Sequence, residues 1–458
     1  MDTLAAHRLQ FAFTITYHYL FPQLTMGLAF LVFLLKTRAY FRADEAANHA
    51  ARFAIRIFGL SFVMGVVTGI PMEFQFGTNW ARFSSMSGGI IGQTLAMEGM
   101  FAFFLESSFL YLLLYAEGKI GPRLHWISSL LLWLGTWASG YFIVCTNAWM
   151  QHPVGYEIAA DGSFQLTSIW ALLLNPWVFP EYLHTMNGAV ITGSFTMAAL
   201  GAFYTLRGRR TEPVSRMLSL GVIVGVLAAL SAAFPTGDLQ AKLVAEHQPV
   251  GFAAMEGHFH SEDGAGLTLI GQPNMEQRRL DNQLVLPNVL SLLTYQRWNA
   301  RIRGLEEFPE HDWPDNVPLL YYCYHVMAGL GTMFIALALA SAVQLRRKRL
   351  SETKTLLWAH MLIVPLPFVA NTAGWMTAEL GRQPWIIHGL LRTSEGHSLH
   401  VSGGNVLFTL LGFMGLYALL SLLFVLLLTR IVAQGPTDPN DPSASLADTG
   451  SHSAHAPI

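Results

Sequence analysis

Residues 405–429 read NVLFTLLGFMGLYALLSLLFVLLLT, twenty-five positions without one Asp, Glu, Lys, Arg or His. At 1.5 Å per residue a helix of that length spans roughly 37 Å, more than the ~30 Å hydrocarbon core of a bilayer. The run reads as a membrane-spanning helix. Working outward from it, comparable apolar runs lie at about 11–35, 53–76, 92–115, 126–148, 184–206, 217–235, 318–344 and 355–378. The fold class expected is therefore an all-α polytopic membrane protein of about nine transmembrane helices. Composition agrees: 52% of residues are apolar, 12% are charged, and the mean hydropathy is +0.39.

Orientation follows from where the basic residues fall. Lys36, Arg38 and Arg42 follow the first run, Lys119 and Arg123 the third, Arg207, Arg209 and Arg210 the fifth, and Arg346, Arg347, Lys348 and Arg349 the seventh. The connection after the second run has only Arg82, and 149–183 has no Lys or Arg. The positive-inside rule then puts the N-terminus in the periplasm and the C-terminus in the cytoplasm, as an odd number of spans requires. The chain divides into helices one to six (1–235), a periplasmic loop (236–317), helices seven to nine (318–430) and a disordered cytoplasmic tail (431–458). With 27 basic and 29 acidic residues the chain lacks the basic surface that nucleic acid demands. Cys145 and Cys323 both sit in apolar runs, so no disulfide framework or cysteine metal site is indicated.

Ionisable side chains at membrane depth each cost about 2.5 to 3.5 kcal/mol on insertion scales and therefore mark function or pairing. Glu379 closes the eighth run in AGWMTAELGRQPW (373–385), with Arg382 one turn further on. His18, His184 and Met327 fall in the outer halves or ends of their helices, on the same side as Glu379. His and Met are the usual axial protein ligands of haem iron, and no His or Cys pair has zinc spacing. Glu98 and Glu106 share the third run; as a regular helix it would set them about 12 Å apart and within roughly 80° of one another, a candidate proton path. The residues alone leave three readings open: an oxidase, a proton-coupled secondary transporter, and a haem b anchor linked to quinone.

Several motifs in order along the chain resemble subunit I of cytochrome bd quinol oxidases: Tyr17-His18-Tyr19-Leu20-Phe21, Met72-Glu73-Phe74-Gln75-Phe76-Gly77-Thr78-Asn79-Trp80, MEGMFAFFLES at 97–107, Asn147-Ala148-Trp149-Met150-Gln151 and the closing Gly381-Arg382-Gln383-Pro384-Trp385. The resemblance spans essentially the whole chain. It implies that His184 and Met327 are the axial ligands of haem b558. It implies that His18 and Glu379 ligate the two high-spin haems, b595 and d (or a further haem b in place of d), in an order left open. Glu98 and Glu106 match the acidic pair beside those haems, and Trp375 and Arg382 match residues around them, the arginine beside a propionate. Glu256, in Ala253-Ala254-Met255-Glu256-Gly257, matches a glutamate used in quinol oxidation.

The implied activity is electrogenic, non-pumping quinol:oxygen oxidoreduction, with quinol oxidised on the periplasmic side and dioxygen reduced to water with cytoplasmic protons. The implied partners are subunit II, a small single-span subunit and membrane lipid, in the bacterial inner membrane. Two positions depart from the family pattern. Gly251 stands where a lysine is usual, which leaves open Lys242, an arginine of the loop or no cation at all at the quinol site, and His325 stands where many members carry arginine. The compact 236–317 loop resembles the short-loop, cyanide-insensitive branch.

Overall fold

The computed structural model describes residues 2–436. Eleven helices organise it: α1 (Thr3–Arg42), α2 (Glu45–Thr78), α3 (Ala81–Tyr115), α4 (Glu117–Gln151), α5 (Val178–Leu206), α6 (Glu212–His247), α7 (Pro249–Glu256), α8 (Val317–Arg346), α9 (Lys354–Leu362), α10 (Leu366–Arg382) and α11 (Gly403–Gln434). Among the described residues eight of these are long and apolar enough to cross a membrane, and α9 with α10 forms a ninth span bent by 44°. The bend falls at Pro365 and Pro367, which cannot donate the backbone hydrogen bonds a continuous helix needs. The polytopic all-α architecture read from hydropathy is the architecture observed. Of the expected tail, 431–434 continue α11 and positions from 437 onward lie outside the described residues.

The core is built where α1, α2, α5 and α6 meet, around Leu28, Leu31, Phe53, Phe58 and Phe195, all essentially sealed. Gly27 of α1 and Gly193 of α5 make that packing possible. A Cβ on Gly27 would come within 2.1 Å of the Ala189 carbonyl oxygen, so the two backbones touch directly. This contact sets the helix bearing His18 against the helix bearing His184. On the other flank, α10 docks on α5 through Asn371, whose Nδ2 donates to the Gly188 carbonyl at 3.2 Å and to Thr192 Oγ1 at 3.0 Å.

The two ends of the bundle differ in chemistry. At one end the α1–α2 turn is closed by Ala43 in the left-handed region, and Asp44 caps α2 through Ala47 N while pairing with Arg38 and with Arg216 of α6. Beside it Lys36 donates to Asn48 and Glu117, both at 2.7 Å, and Arg52 to the other Glu117 oxygen. At the opposite end 236–317 forms a cap. It contains the end of α6, α7, a hairpin of Leu267–Asn274 with Arg279–Leu286, and a short helix Val289–Tyr295. Phe252, Ala253 and Met255 of α7 bury against Leu290, Leu305 and Leu320, which fastens the cap to the start of α8.

The regular helices expected are interrupted in α6, where Ala232–Gly237 is π-helical with Phe234 extended, and in α3. Glu98–Phe103 is a π-helical segment between the α-helical parts of α3. The angle computed for Glu98 and Glu106 on an ideal helix therefore does not hold, because wider turns separate them.

Candidate functional site

The chemistry collects at the capped end, in a cavity of about 520 Å³ walled by α5, α6, α7, α8 and α10. His184 projects into it from α5, Met327 from α8, Glu256 from α7, Lys242 from α6 and Trp375 from α10. Its volume falls in the range of roughly 300–1,000 Å³ typical of cofactor and ligand sites. The Met327 Sδ lies over Gly374, where even a Cβ would approach it within 2.8 Å, so the thioether is held against α10.

Both histidines carry the same orienting partner. Thr68 Oγ1 donates to the Met64 carbonyl at 2.8 Å and therefore has only its lone pairs left for His18 Nδ1, 3.0 Å away. The imidazole must be the Nδ1–H tautomer, with a free lone pair at Nε2. His184 repeats the device: Thr236 Oγ1 donates to the Ser231 carbonyl at 2.8 Å and faces His184 Nδ1 at 3.4 Å. A neutral Nε2 lone pair is what an iron ligand requires.

Glu379, Arg382 and Trp375 lie at the end of α10. Arg382 is buried and hydrogen-bonds Glu379, so the ion pair considered from the sequence exists. Its Nε and Nη1 nonetheless have no partner, donors that an anionic group such as a propionate would satisfy. Asn147 Nδ2 donates to the other Glu379 oxygen at 2.7 Å, and the polar chain continues through Gln151 to Gln248 at the cap. Trp375 packs edge-on to Tyr19, the neighbour of His18, at 5.9 Å between ring centres.

Glu98 and Glu106 face α4. Ser139 donates to Glu98 at 2.8 Å, and Glu106 is buried against Gly135 and Thr136 one turn away. The structure thus sets Glu98 and Glu106 on α3 beside hydroxyl side chains of α4, apart from the cavity.

At the cap, Glu256 is buried with Oε2 unpartnered. Burial pushes its carboxyl up to about 7, against the downward pull of the Tyr324 hydroxyl. Lys242 pairs with Asp238 one turn before it, at 2.7 Å. Gly251 has no room for a lysine: a Cβ there would lie 2.7 Å from the Gly381 carbonyl oxygen, because α7 rests backbone to backbone on the end of α10. His325 stacks on Tyr321 at 3.9 Å, with its ring nitrogens 2.9 and 3.0 Å from the carbonyls of Tyr321 and Thr268, so it ties the cap hairpin to α8.

Residues 6–436 match the model of the family described as cytochrome bd terminal oxidase subunit I. The chain belongs to that family. It is 33% identical over 426 residues, 91% of each chain, to the cytochrome bd ubiquinol oxidase subunit 1 of Bacillus subtilis (strain 168). It is 30% identical over 482 aligned positions, 91% of this chain and 93% of the relative, to the cytochrome bd-II ubiquinol oxidase subunit 1 of Escherichia coli (strain K12). The bd oxidase structure from Geobacillus thermodenitrificans superposes with a TM-score of 0.89 at 27% identity, covering 95% of this chain and 99% of that one.

The protein is thus a haem-binding terminal-oxidase subunit, an oxidoreductase component of the bacterial inner membrane with a subunit II partner. Membership leaves the transporter and anchor readings without support.

Sequence reasoning passed over Thr68, Thr236, Ser139, Tyr324 and Glu181. The threonines and the serine carry no signal in a one-dimensional reading, since each partner is set by helix packing. Glu181 did carry one, a carboxylate in the first turn of α5 three residues before His184.

Proposed function

We propose that this chain oxidises quinol on the capped, periplasmic side and reduces dioxygen with protons drawn from the cytoplasmic end. His184 and Met327 hold haem b558, and His18 and Glu379 hold b595 and d, or a further haem b in place of d. The observation that carries this reading is the shared cavity: His184, Met327 and Glu256 line one space although they come from three separate elements. Haem, when bound, would supply one-electron acceptance at His184 and Met327 and oxygen reduction at the sites of His18 and Glu379.

The protein's own residues do the rest. Glu256 accepts a proton from quinol at the cavity wall, and Lys242 lines the same cavity as the cation that Gly251 cannot provide. Arg382 satisfies a propionate with its unpartnered donors, and Trp375 packs the α1 side of the cluster. Thr68 and Thr236 hold the imidazoles in the tautomer that leaves Nε2 free. Glu106 and then Glu98, hydrogen-bonded along α4, carry protons from the cytoplasmic end. Consuming protons from one side and releasing them on the other separates charge without pumping, storing about 2.3 kcal/mol per charge per 100 mV. Subunit II, a small single-span subunit and lipid cover the exposed helix faces. The quinol class stays open between ubiquinol and menaquinol, as relatives named for each match.

A reduced-minus-oxidised absorption spectrum of the purified complex tests the assignment. Haem b bands with a far-red chlorin band, or with b-type high-spin signals that shift on adding carbon monoxide, are expected. A single low-spin b haem would leave only an electron-transferring anchor, and a spectrum without haem bands would overturn the proposal.

A further inference from the structure

Two carboxylates of the cavity wall have no task in the proposed function, and of these Asp238 is paired with Lys242 while Glu181 is not paired. It is 5% exposed, and neither of its oxygens has a hydrogen-bond partner. A carboxylate held for structure is bonded, because an unpaired buried charge is expensive. Arg382, the guanidinium within electrostatic reach, makes its ion pair with Glu379 instead. Glu181 lies one turn from His184 on the same helical face, toward the capped end, and lines the same cavity as Glu256.

We propose that Glu181 is the second proton acceptor in quinol oxidation. The assignment rests on the quinol-oxidising reading above and deepens it. Quinol gives up two electrons and two protons. Both phenolic O–H bonds break, the electrons pass one at a time to the iron porphyrin held by His184 and Met327, and quinone leaves. One proton goes to Glu256 on α7 and the other to Glu181 on α5. Two acceptors on separate elements spare a single carboxylate from discharging its proton between the two transfers. Gln151, Gln248 and Gln240 also line the cavity, with Gln240 Oε1 unpartnered, and they give polar passage from Glu181 to the cap.

The test uses the complete complex with Glu181→Gln and two donors: a short-chain water-soluble quinol, and tetramethyl-p-phenylenediamine, which delivers electrons without protons. Quinol turnover should fall roughly tenfold or more, in kcat, with KM within about threefold. Oxygen consumption from the proton-free donor should stay within about twofold, and the low-spin haem band should persist. Glu181→Asp, which restores a carboxylate, should recover quinol turnover. Unchanged quinol turnover in Glu181→Gln overturns the proposal, and so does an equal loss with both donors or loss of the low-spin band in both variants. Failure of the underlying reading looks different: the wild-type complex then consumes oxygen with the diamine but not with quinol.

Discussion

Met327 presents a thioether to the cavity that His184 also lines, from a separate helix. Met327→Leu keeps the volume and deletes the soft donor, so the reduced α-band of the low-spin haem should vanish while the high-spin signals remain. A persisting band would show that another group ligates that iron. The threonine partners give a subtler test. Thr68→Val keeps the branched shape but removes the oxygen facing His18 Nδ1; outer-shell losses of this kind cost about 10–100-fold in metal affinity or activity. Haem content per polypeptide should fall at the His18 site alone. Glu256 supplies a pH dependence with a defined sign. Burial lifts its carboxyl to about 7, and a proton acceptor works only when deprotonated, so quinol turnover should fall as pH drops through about 7. In Glu256→Gln the residual turnover should lack that acid limb; a limb that persists assigns it to another group. The ligand-type residues were legible from one dimension because His, Met and Glu are costly or rare at membrane depth. Thr68 lies 50 positions from His18, and only the packing of α2 on α1 joins them.

Elements were legible to different degrees for one physical reason: hydrocarbon demands length and apolarity, both of which can be counted in the sequence. All nine expected runs fall within helices, and even the broken one is announced by Pro365 and Pro367. The π segment of α3 is not announced, since Gly99 within Glu98–Phe103 weakens a helix without specifying wider turns, and the extra turn width depends on its neighbours. Nor were the interior elements of the cap, because α7 and the hairpin are fixed by contacts with α8 and α10. Gly251 shows how tight that fixing is. Gly251→Lys would restore the residue common in the family yet drive a Cβ to 2.7 Å from the Gly381 carbonyl. We expect this variant to lift α7 from α10, raise KM for quinol several-fold and loosen the cap to proteolysis, with the haem spectrum retained. A lysine accepted with wild-type kinetics would mean that α7 shifts freely and that the close approach has no functional weight.

At the scale of the whole molecule, function rests on the distance between the two ends of the bundle. In the proposed function quinol chemistry belongs under the cap, while the Lys36, Asn48, Arg52 and Glu117 network closes the far end. On that reading protons for water formation cross most of the bilayer, and α3 with α4 offers carboxylate and hydroxyl groups for it: buried Glu106 and Thr136 and half-buried Ser139 and Glu98. Glu106→Gln keeps the shape and the hydrogen-bonding capacity but cannot release a proton. In proteoliposomes containing the full complex, this variant should lower quinol-driven turnover and the membrane potential together, by about 10²-fold or more if no other group substitutes. Electron entry should stay intact, so the haems should be found reduced during turnover rather than oxidised. Turnover and proton uptake both at wild-type values would remove Glu106 from the path and direct the search to the face of α3 that carries Glu73. That exposed carboxylate at membrane depth lies within electrostatic reach of Glu98 and requires cover from a partner chain.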